Sequence, residues 1–192
     1  NPDITKGATG DEWTDHEQLD MYELSQAIEA TGRAPFKAIF FNNCLMGNLE
    51  SLTELRDVAE YIACSAHLLN SDYIILPAFV RGLIENDNVE DAFAYMLNDV
   101  TPTWQEYYSH DEGKAVNGDF KLLRTADLDG IIGVCKRLAD RLVALYPTQQ
   151  EAIDLTTTQV YRFHLASDDI LINYITPFFD LQDYADKLAA NN

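Results

Sequence analysis

Residues 36–66 read FKAIFFNNCLMGNLESLTELRDVAEYIACSA, and this stretch decides the fold. Phe36, Ala38, Ile39, Phe40 and Phe41 form a short, nearly unbroken apolar run, the pattern of a strand covered on both faces by helices. The run stops abruptly at the polar pair Asn42-Asn43. From Gly47 onward, Leu49, Leu52, Leu55, Val58 and Ala59 recur at spacings of three and four with charged residues between them, which predicts an amphipathic helix. Tyr61 to Ala66 is then a second strand. Strand, polar break, helix and strand in that order make a βαβ unit, whose two strands run parallel.

Working outward, Asp15 is placed to cap a helix in which Met21, Leu24, Ala27 and Ile28 share a stripe, with Thr31-Gly32 as the stop before Pro35. Together with the βαβ unit this predicts a three-layer α/β domain with a mainly parallel sheet. Residues 1–14, with Pro2, Asp3, Gly7 and Gly10 and little apolar periodicity, read as a loose N-terminal loop. Downstream the pattern predicts helices at Leu76–Glu85 and Val89–Tyr108, an exposed loop at Ser109–Gly118 and a third strand at Phe120–Thr125. A helix from Gly130 to Tyr146 carries Ile131, Cys135, Leu138, Leu142 and Leu145 on one stripe, which puts Cys135 on a core face. An apolar stretch at Ile170–Ile175 precedes a last helix from Asp180, with Leu181, Tyr184, Ala185 and Leu188 inward. With no repeat and no interdomain linker, 1–192 reads as a single domain.

The 192 residues are 47% hydrophobic, enough for a well-buried core, and 13 Lys+Arg against 32 Asp+Glu leave a net charge of −19. Such acidity excludes nucleic acid, whose binding rests on basic residues releasing counterions, and disfavours anionic membrane surfaces. No apolar run approaches the roughly 18 to 20 residues of a membrane span. Cys44, Cys64 and Cys135 are odd in number and widely spaced, so they form neither a disulfide framework nor a zinc motif. Gly130-Ile131-Ile132-Gly133 lacks the Lys-Ser/Thr of a phosphate loop. The carboxylates follow no EF-hand or HExxH spacing.

In an open α/β sheet, ligands bind outside the carboxyl ends of the strands. That rule selects Asn42-Asn43-Cys44 after the first strand and Ser65 to Asp72 after the second. Cys44 lies between a buried strand and a helix opening near Gly47, whose positive dipole end favours a thiolate; the same position also suits a small packed hydrophobe. Cys64 and Cys135 fall on apolar periodic positions and read as core. A nucleophilic thiolate needs an imidazole to hold the ion pair and protonate the leaving group. Of the four histidines, His67 alone follows a strand end near Cys44. His16 precedes a helix, His110 lies in a polar loop, and His164 suits core or surface.

Phe41–Asn48 (FNNCLMGN), continuing through LESLTELRDVAEYIACSA, resembles the clostripain-type cysteine peptidases of the caspase-like clan. Those proteins carry a strand ending in Phe-Asp-x-Cys-Leu-Met, a helix with a Tyr/Thr-Glu-Leu-Arg run and a strand ending in Ala-Ser. Phe120–Leu128 and Phe179-Asp180-Leu181-Gln182-Asp183-Tyr184 extend the likeness downstream. The resemblance implies a caspase-like fold and an endopeptidase in which Cys44 attacks the scissile carbonyl to form a thioester. The acid/base is then a histidine in a His-Gly motif on an earlier strand. No His-Gly occurs in these 192 residues. The dyad histidine and the first strands of the sheet are therefore expected upstream of Asn1.

Members of that family are zymogens that cleave themselves between the His-bearing and Cys-bearing strands. A chain opening on a loose, non-Met segment fits the heavy-chain product, partnered by a light-chain segment carrying the histidine; a truncated boundary would look the same. Relatives prefer basic P1 residues, held by an Asp two positions before the nucleophile and a second acidic residue after the next strand. Here the first position is Asn42, and Asp72 fits the second. Loss of one carboxylate weakens or alters the preference for a basic P1. Asn42 equally suits backbone capping at a strand end, and Asp72 is favoured as a turn residue in Asn70-Ser71-Asp72. Ser65 either lines the pocket floor or is satisfied by backbone. The sequence requires no cofactor, and calcium enters by family resemblance without nameable ligands. Family habit points to secretion or the bacterial cell envelope. The alternative is a catalytically inactive homologue serving as a peptide-binding or scaffold module, to which Asn42 and the altered loop after the second strand also lend themselves.

Overall fold

A computed structural model describes residues 7–10, 18–43, 45–66, 75–109, 120–161 and 179–191. The chain divides into two compact units, Asn1–Leu128 and Asp129–Asn192.

In the first unit, β1 (Gly7–Gly10) pairs antiparallel with β2 (Gln18–Asp20). Residues 7–10 are thus a strand within a segment that reads as a loose loop. Their pairing runs through backbone groups, which leave no apolar period in GATG. α1 (Met21–Ala30) follows directly, and its N-cap is Asp20 rather than Asp15. The Asp20 carboxylate accepts from the Glu23 N–H at 2.7 Å, and the Glu23 carboxylate accepts from the Asp20 N–H at 3.1 Å. This is a capping box, in which two otherwise unpaired amides are satisfied reciprocally. α1 ends as predicted: Gly32 takes φ 66° and donates to the Glu29 carbonyl at 3.0 Å.

β3 (Phe36–Phe40) and β4 (Ala59–Cys64) pair in parallel, with Phe36 opposite Ala59 and Phe40 opposite Ala63. Between them α2 spans only Leu49–Leu55. Val58 and Ala59 therefore leave the predicted helix. The Val58 N–H donates to Leu55, the Val58 carbonyl accepts from Phe36, and Ala59 opens β4. β5 (Lys121–Arg124) then joins β4 antiparallel, giving a three-stranded sheet in the order β3-β4-β5. Among the described residues this sheet is mixed, with one parallel and one antiparallel pairing. The reason lies in the connection, since β4 and β5 are separated by two helices, α3 (Ile75–Glu85) and α4 (Val89–Ser109). The short link of residues 86–88 makes them antiparallel neighbours. An even number of helices returns the chain to the end of the sheet it left.

Ala63, Ile75, Ala78, Phe79, Val89, Ala92, Phe93, Met96, Val100 and Phe120 form one buried cluster, with Ala38, Phe40, Tyr61 and Leu122 packed against it. Alternate strand residues thus face α3 and α4. Phe40 bridges Phe79 of α3 at 4.9 Å and Phe120 at 5.1 Å, and Phe120 meets Phe93 of α4 at 5.7 Å between ring centroids. Each such pair adds about 0.5–1.5 kcal/mol beyond its buried area. Ile62 and Cys64, pointing to the other face, are fully buried as well, so β4 is covered on both sides and Cys64 is core as expected. Gly82 seats α3 on α4: a Cβ there would fall 2.4 Å from the Ala92 carbonyl oxygen.

In the second unit, α5 (Leu128–Gln159) runs past the predicted end at Tyr146. Pro147 lacks an N–H and clashes with the preceding turn, and the helix breaks its dihedrals at Gln149 (φ −130°, ψ 28°) before resuming. The predicted stripe is poorly covered: Ile131 is 44% exposed and Cys135 only half-buried, so Cys135 is not a core residue. Periodicity identified the helix, but coverage depends on what packs there. The last helix, α6 (Leu181–Asn191), is capped by Asp180, whose carboxylate accepts from the Asp183 N–H at 2.9 Å. Tyr184 is buried as predicted, whereas Leu181 is 38% exposed. Asp183 accepts from the Tyr161 N–H at 2.6 Å and pairs with Lys187, which holds its carboxyl below the usual range. Ile170–Ile175 lies outside the described residues. Among the described residues no helix is long and apolar enough to cross a membrane.

Candidate active site

The end of β3 is fixed by its neighbour. The Phe41 N–H donates to the Ala63 carbonyl at 2.8 Å, which carries the parallel ladder one residue beyond the strand. Phe41 is buried, while Asn42 and Asn43 emerge into solvent. Leu45 adopts φ 64°. A left-handed backbone costs a residue with a Cβ about 1–2 kcal/mol, so a leucine there needs external restraint.

Asn48 supplies part of that restraint. It is 9% exposed, and its amide works in both directions. Nδ2 donates to the Leu45 carbonyl at 2.7 Å, and Oδ1 accepts from the Ser51 N–H at 2.8 Å as the N-cap of α2. Gly47 supplies a second part. Its N–H donates to the Ser65 carbonyl at 2.8 Å, and a Cβ on it would stand 2.9 Å from the Ala66 nitrogen and 3.0 Å from the Ser65 carbonyl carbon. The loop after β3 thus rests directly on the backbone at the end of β4.

Two of the four predicted site residues can be placed. Asn42 is exposed and Ser65 is fully buried, and the β3–β4 register brings both to the carboxyl end of the sheet. Cys44 and Asp72 lie outside the described residues, as do His16, His67, His110 and His164. The residues that flank Cys44 in the chain, Asn43 and Leu45, are described on either side of it. The expected helix-dipole contribution is smaller than a helix opening at Gly47 would provide. α2 is two turns long and starts at Leu49, the Ser51 amide is taken by Asn48, and the Gly47 amide by Ser65.

Leu45, Gly47 and Asn48 are the contributors that sequence reasoning missed. An Asn just ahead of the first periodic leucine is a cap signal, and it was legible. The left-handed Leu45 was not, because leucine carries no preference for that region. A groove of about 480 Å³ also lies between the start of α1 and α2, lined by residues including Tyr22, Leu49 and Ser51. None of the predicted site residues lines it. Toward the amino ends of the strands, Lys37 bonds Glu60 at 2.6 Å, and the Tyr61 hydroxyl donates to Glu90. These contacts raise the pKa of Lys37 and of Tyr61 and lower that of Glu90. They stand apart from the loop at the strand carboxyl ends.

The family model of clostripain peptidases, family C11, matches residues 1–192. The chain belongs to the clostripain family. Among solved structures it is similar to a clostripain from Bacteroides thetaiotaomicron ATCC 29148 in complex with a peptide inhibitor, at a TM-score of 0.56 and 20% identity. That alignment covers 93% of this chain and 68% of the other. It is also similar to a secreted C11 cysteine protease from Bacteroides thetaiotaomicron, at a TM-score of 0.58 and 19% identity over 88% of this chain and 41% of that one. A cysteine protease from B. fragilis matches at 0.52 and 14% identity. The clostripain fold is thereby shared, although the chain spans about two thirds of the first neighbour and less than half of the second. No curated protein sequence matches significantly. Membership of a cysteine peptidase family agrees with the resemblance carried by Phe41–Asn48.

Proposed function

We propose that this clostripain-family chain carries the nucleophile of a cysteine endopeptidase, Cys44. The observation that supports it is the loop after β3. It leaves a buried strand at the carboxyl end of the sheet, contains a left-handed residue beside Cys44, and is fastened to β4 and α2 by Gly47 and Asn48. A short strained loop held at both ends is a means of presenting one side chain in a fixed position.

In the proposed reaction the Cys44 thiolate attacks the scissile carbonyl carbon. The amine departs with a proton from a histidine as the thioester forms. Water then gives its proton to that histidine and cleaves the thioester, which returns the thiolate and releases the acid. We place the histidine on a strand added at the outer edge of β3, which among the described residues pairs only with β4. A light-chain segment produced by self-cleavage of a zymogen would supply it. Asn42 and Asp72 would face a P1 side chain above Ser65, with a basic preference weakened by the amide at Asn42, and the net charge of −19 would steer basic peptides inward. Secretion or the cell envelope is the corresponding location. Among the described residues no three His, Cys, Asp or Glu side chains converge on a metal position.

The test is Cys44→Ala in the full-length protein, assayed for peptide hydrolysis and for self-cleavage by mass spectrometry. Loss of both is expected. Activity retained in the variant refutes the assignment, and a wild-type protein that binds peptides without cleaving them leaves the peptide-binding module as the function.

A further inference from the structure

We infer that Asn48 is a positioning residue for catalysis, acting through Leu45 on the neighbouring Cys44; this rests on the reading of Cys44 as nucleophile. Three observations converge on it. Leu45 holds φ 64°, where a glycine would be relaxed and a leucine is strained. Its carbonyl is gripped by Asn48 Nδ2 at 2.7 Å, and Asn48 is itself buried and locked by the bond from the Ser51 N–H to its Oδ1. Gly47, which precedes Asn48, is pressed on Ser65 and Ala66 so closely that no side chain fits. The segment 45–48 therefore has two anchors. Asn48 holds the twist beside the nucleophile, and Gly47 holds the loop against the end of β4, from which the predicted pocket segment continues.

The two halves of the Asn48 amide can be separated chemically. In Asn48→Asp the remaining oxygen still accepts from Ser51, so the N-cap survives, because Asp and Asn cap equally well. The oxygen that replaces Nδ2 cannot donate to Leu45 and instead faces its carbonyl. The helix stays capped while the left-handed turn loses its tether. A displacement near 1 Å at a reacting atom costs roughly 100-fold in rate.

The experiment compares wild type, Asn48→Asp and the double variant Leu45→Gly/Asn48→Asp in the full-length protein. It measures kcat and KM on a peptide substrate, labelling of Cys44 by a peptidyl acyloxymethyl ketone read by peptide mapping, and thermal unfolding. Asn48→Asp is expected to unfold within a few degrees of wild type yet to lose about 10- to 100-fold in kcat and labelling rate, with KM little changed. Leu45→Gly should restore at least about tenfold of that loss, since glycine needs no tether to stay left-handed. Such rescue would not follow if Asn48 merely stabilised α2. Labelling of Asn48→Asp at the wild-type rate, or a loss that Leu45→Gly fails to relieve, overturns the inference alone. A wild-type protein whose Cys44 takes no label overturns the nucleophile reading and this inference with it.

Discussion

Gly47→Ala tests how closely the loop is joined to the end of β4. The new Cβ would stand 2.9 Å from the Ala66 nitrogen, 3.0 Å from the Ser65 carbonyl carbon and 3.2 Å from the Ala66 Cα. Non-bonded carbon atoms prefer about 3.5–4.0 Å, so the loop must retreat by roughly 0.5 Å or more. The opposing atoms are backbone at the end of a strand paired on both sides, and they cannot turn away as a side chain would. The bond from the Gly47 N–H to Ser65, 2.8 Å in the native protein, stretches toward its geometric limit. Losing that bond costs about 1 kcal/mol, and the forced separation a further 1–3 kcal/mol, roughly. Alanine returns about 0.4–1 kcal/mol by restricting the unfolded chain. The net expectation is a loss of about 1–3.6 kcal/mol, read as a lower urea midpoint by far-ultraviolet circular dichroism. Gly130→Ala serves as the control, because a Cβ at that helical site meets nothing within 4 Å. It should be neutral or stabilising. If Gly47→Ala is as stable as wild type, the close approach of loop and strand is refuted.

Gly82→Ala should destabilise the α3–α4 pair by about 1–3 kcal/mol despite better helix propensity, because a Cβ 2.4 Å from the Ala92 oxygen forces two helices apart; an unchanged urea midpoint refutes this. Tyr61→Phe probes the Tyr61–Glu90 bond through pH. The lowered pKa of Glu90 contributes stability present above the ordinary carboxylate pKa and lost as pH falls through the folded value. The raised pKa of Tyr61 contributes stability present below the ordinary phenol pKa and lost as pH rises through the folded value. The stability difference between wild type and Tyr61→Phe should therefore be flat near neutral pH and shrink at both extremes, and a difference that ignores pH would refute the bond.

Much of the first unit was legible because its signals are local. The apolar run of β3, the leucine spacing of α2, the Thr31-Gly32 stop of α1 and the two helices from residues 75 and 89 need only neighbours in sequence to be recognised. Even the missed cap at Asp20 was present as Asp-x-x-Glu. What failed depended on distant partners. Val58 and Ala59 continue the helical spacing of α2, but pairing with β3 claims them for the strand. The Cys135 stripe has helical period, yet its coverage is set by packing. The likeness around Cys44 named the candidate site, and the β3–β4 register brings Asn42 and Ser65 to the same end of the sheet. Of the restraints on that site the Asn48 cap was readable, whereas the left-handed Leu45 and the contact of Gly47 with the end of β4 were not.

The order of elements from α1 to β5 and the family followed from sequence alone, because periodicity, caps and the residues around Cys44 are properties of contiguous chain. Tertiary structure decided the direction of β5, which two helices rather than one reverse. It also decided the conformation of the loop beside Cys44. The left-handed Leu45 there has its carbonyl bonded by Asn48 while Gly47 lies against the end of β4, and the second of these contacts exists only once the strands have paired.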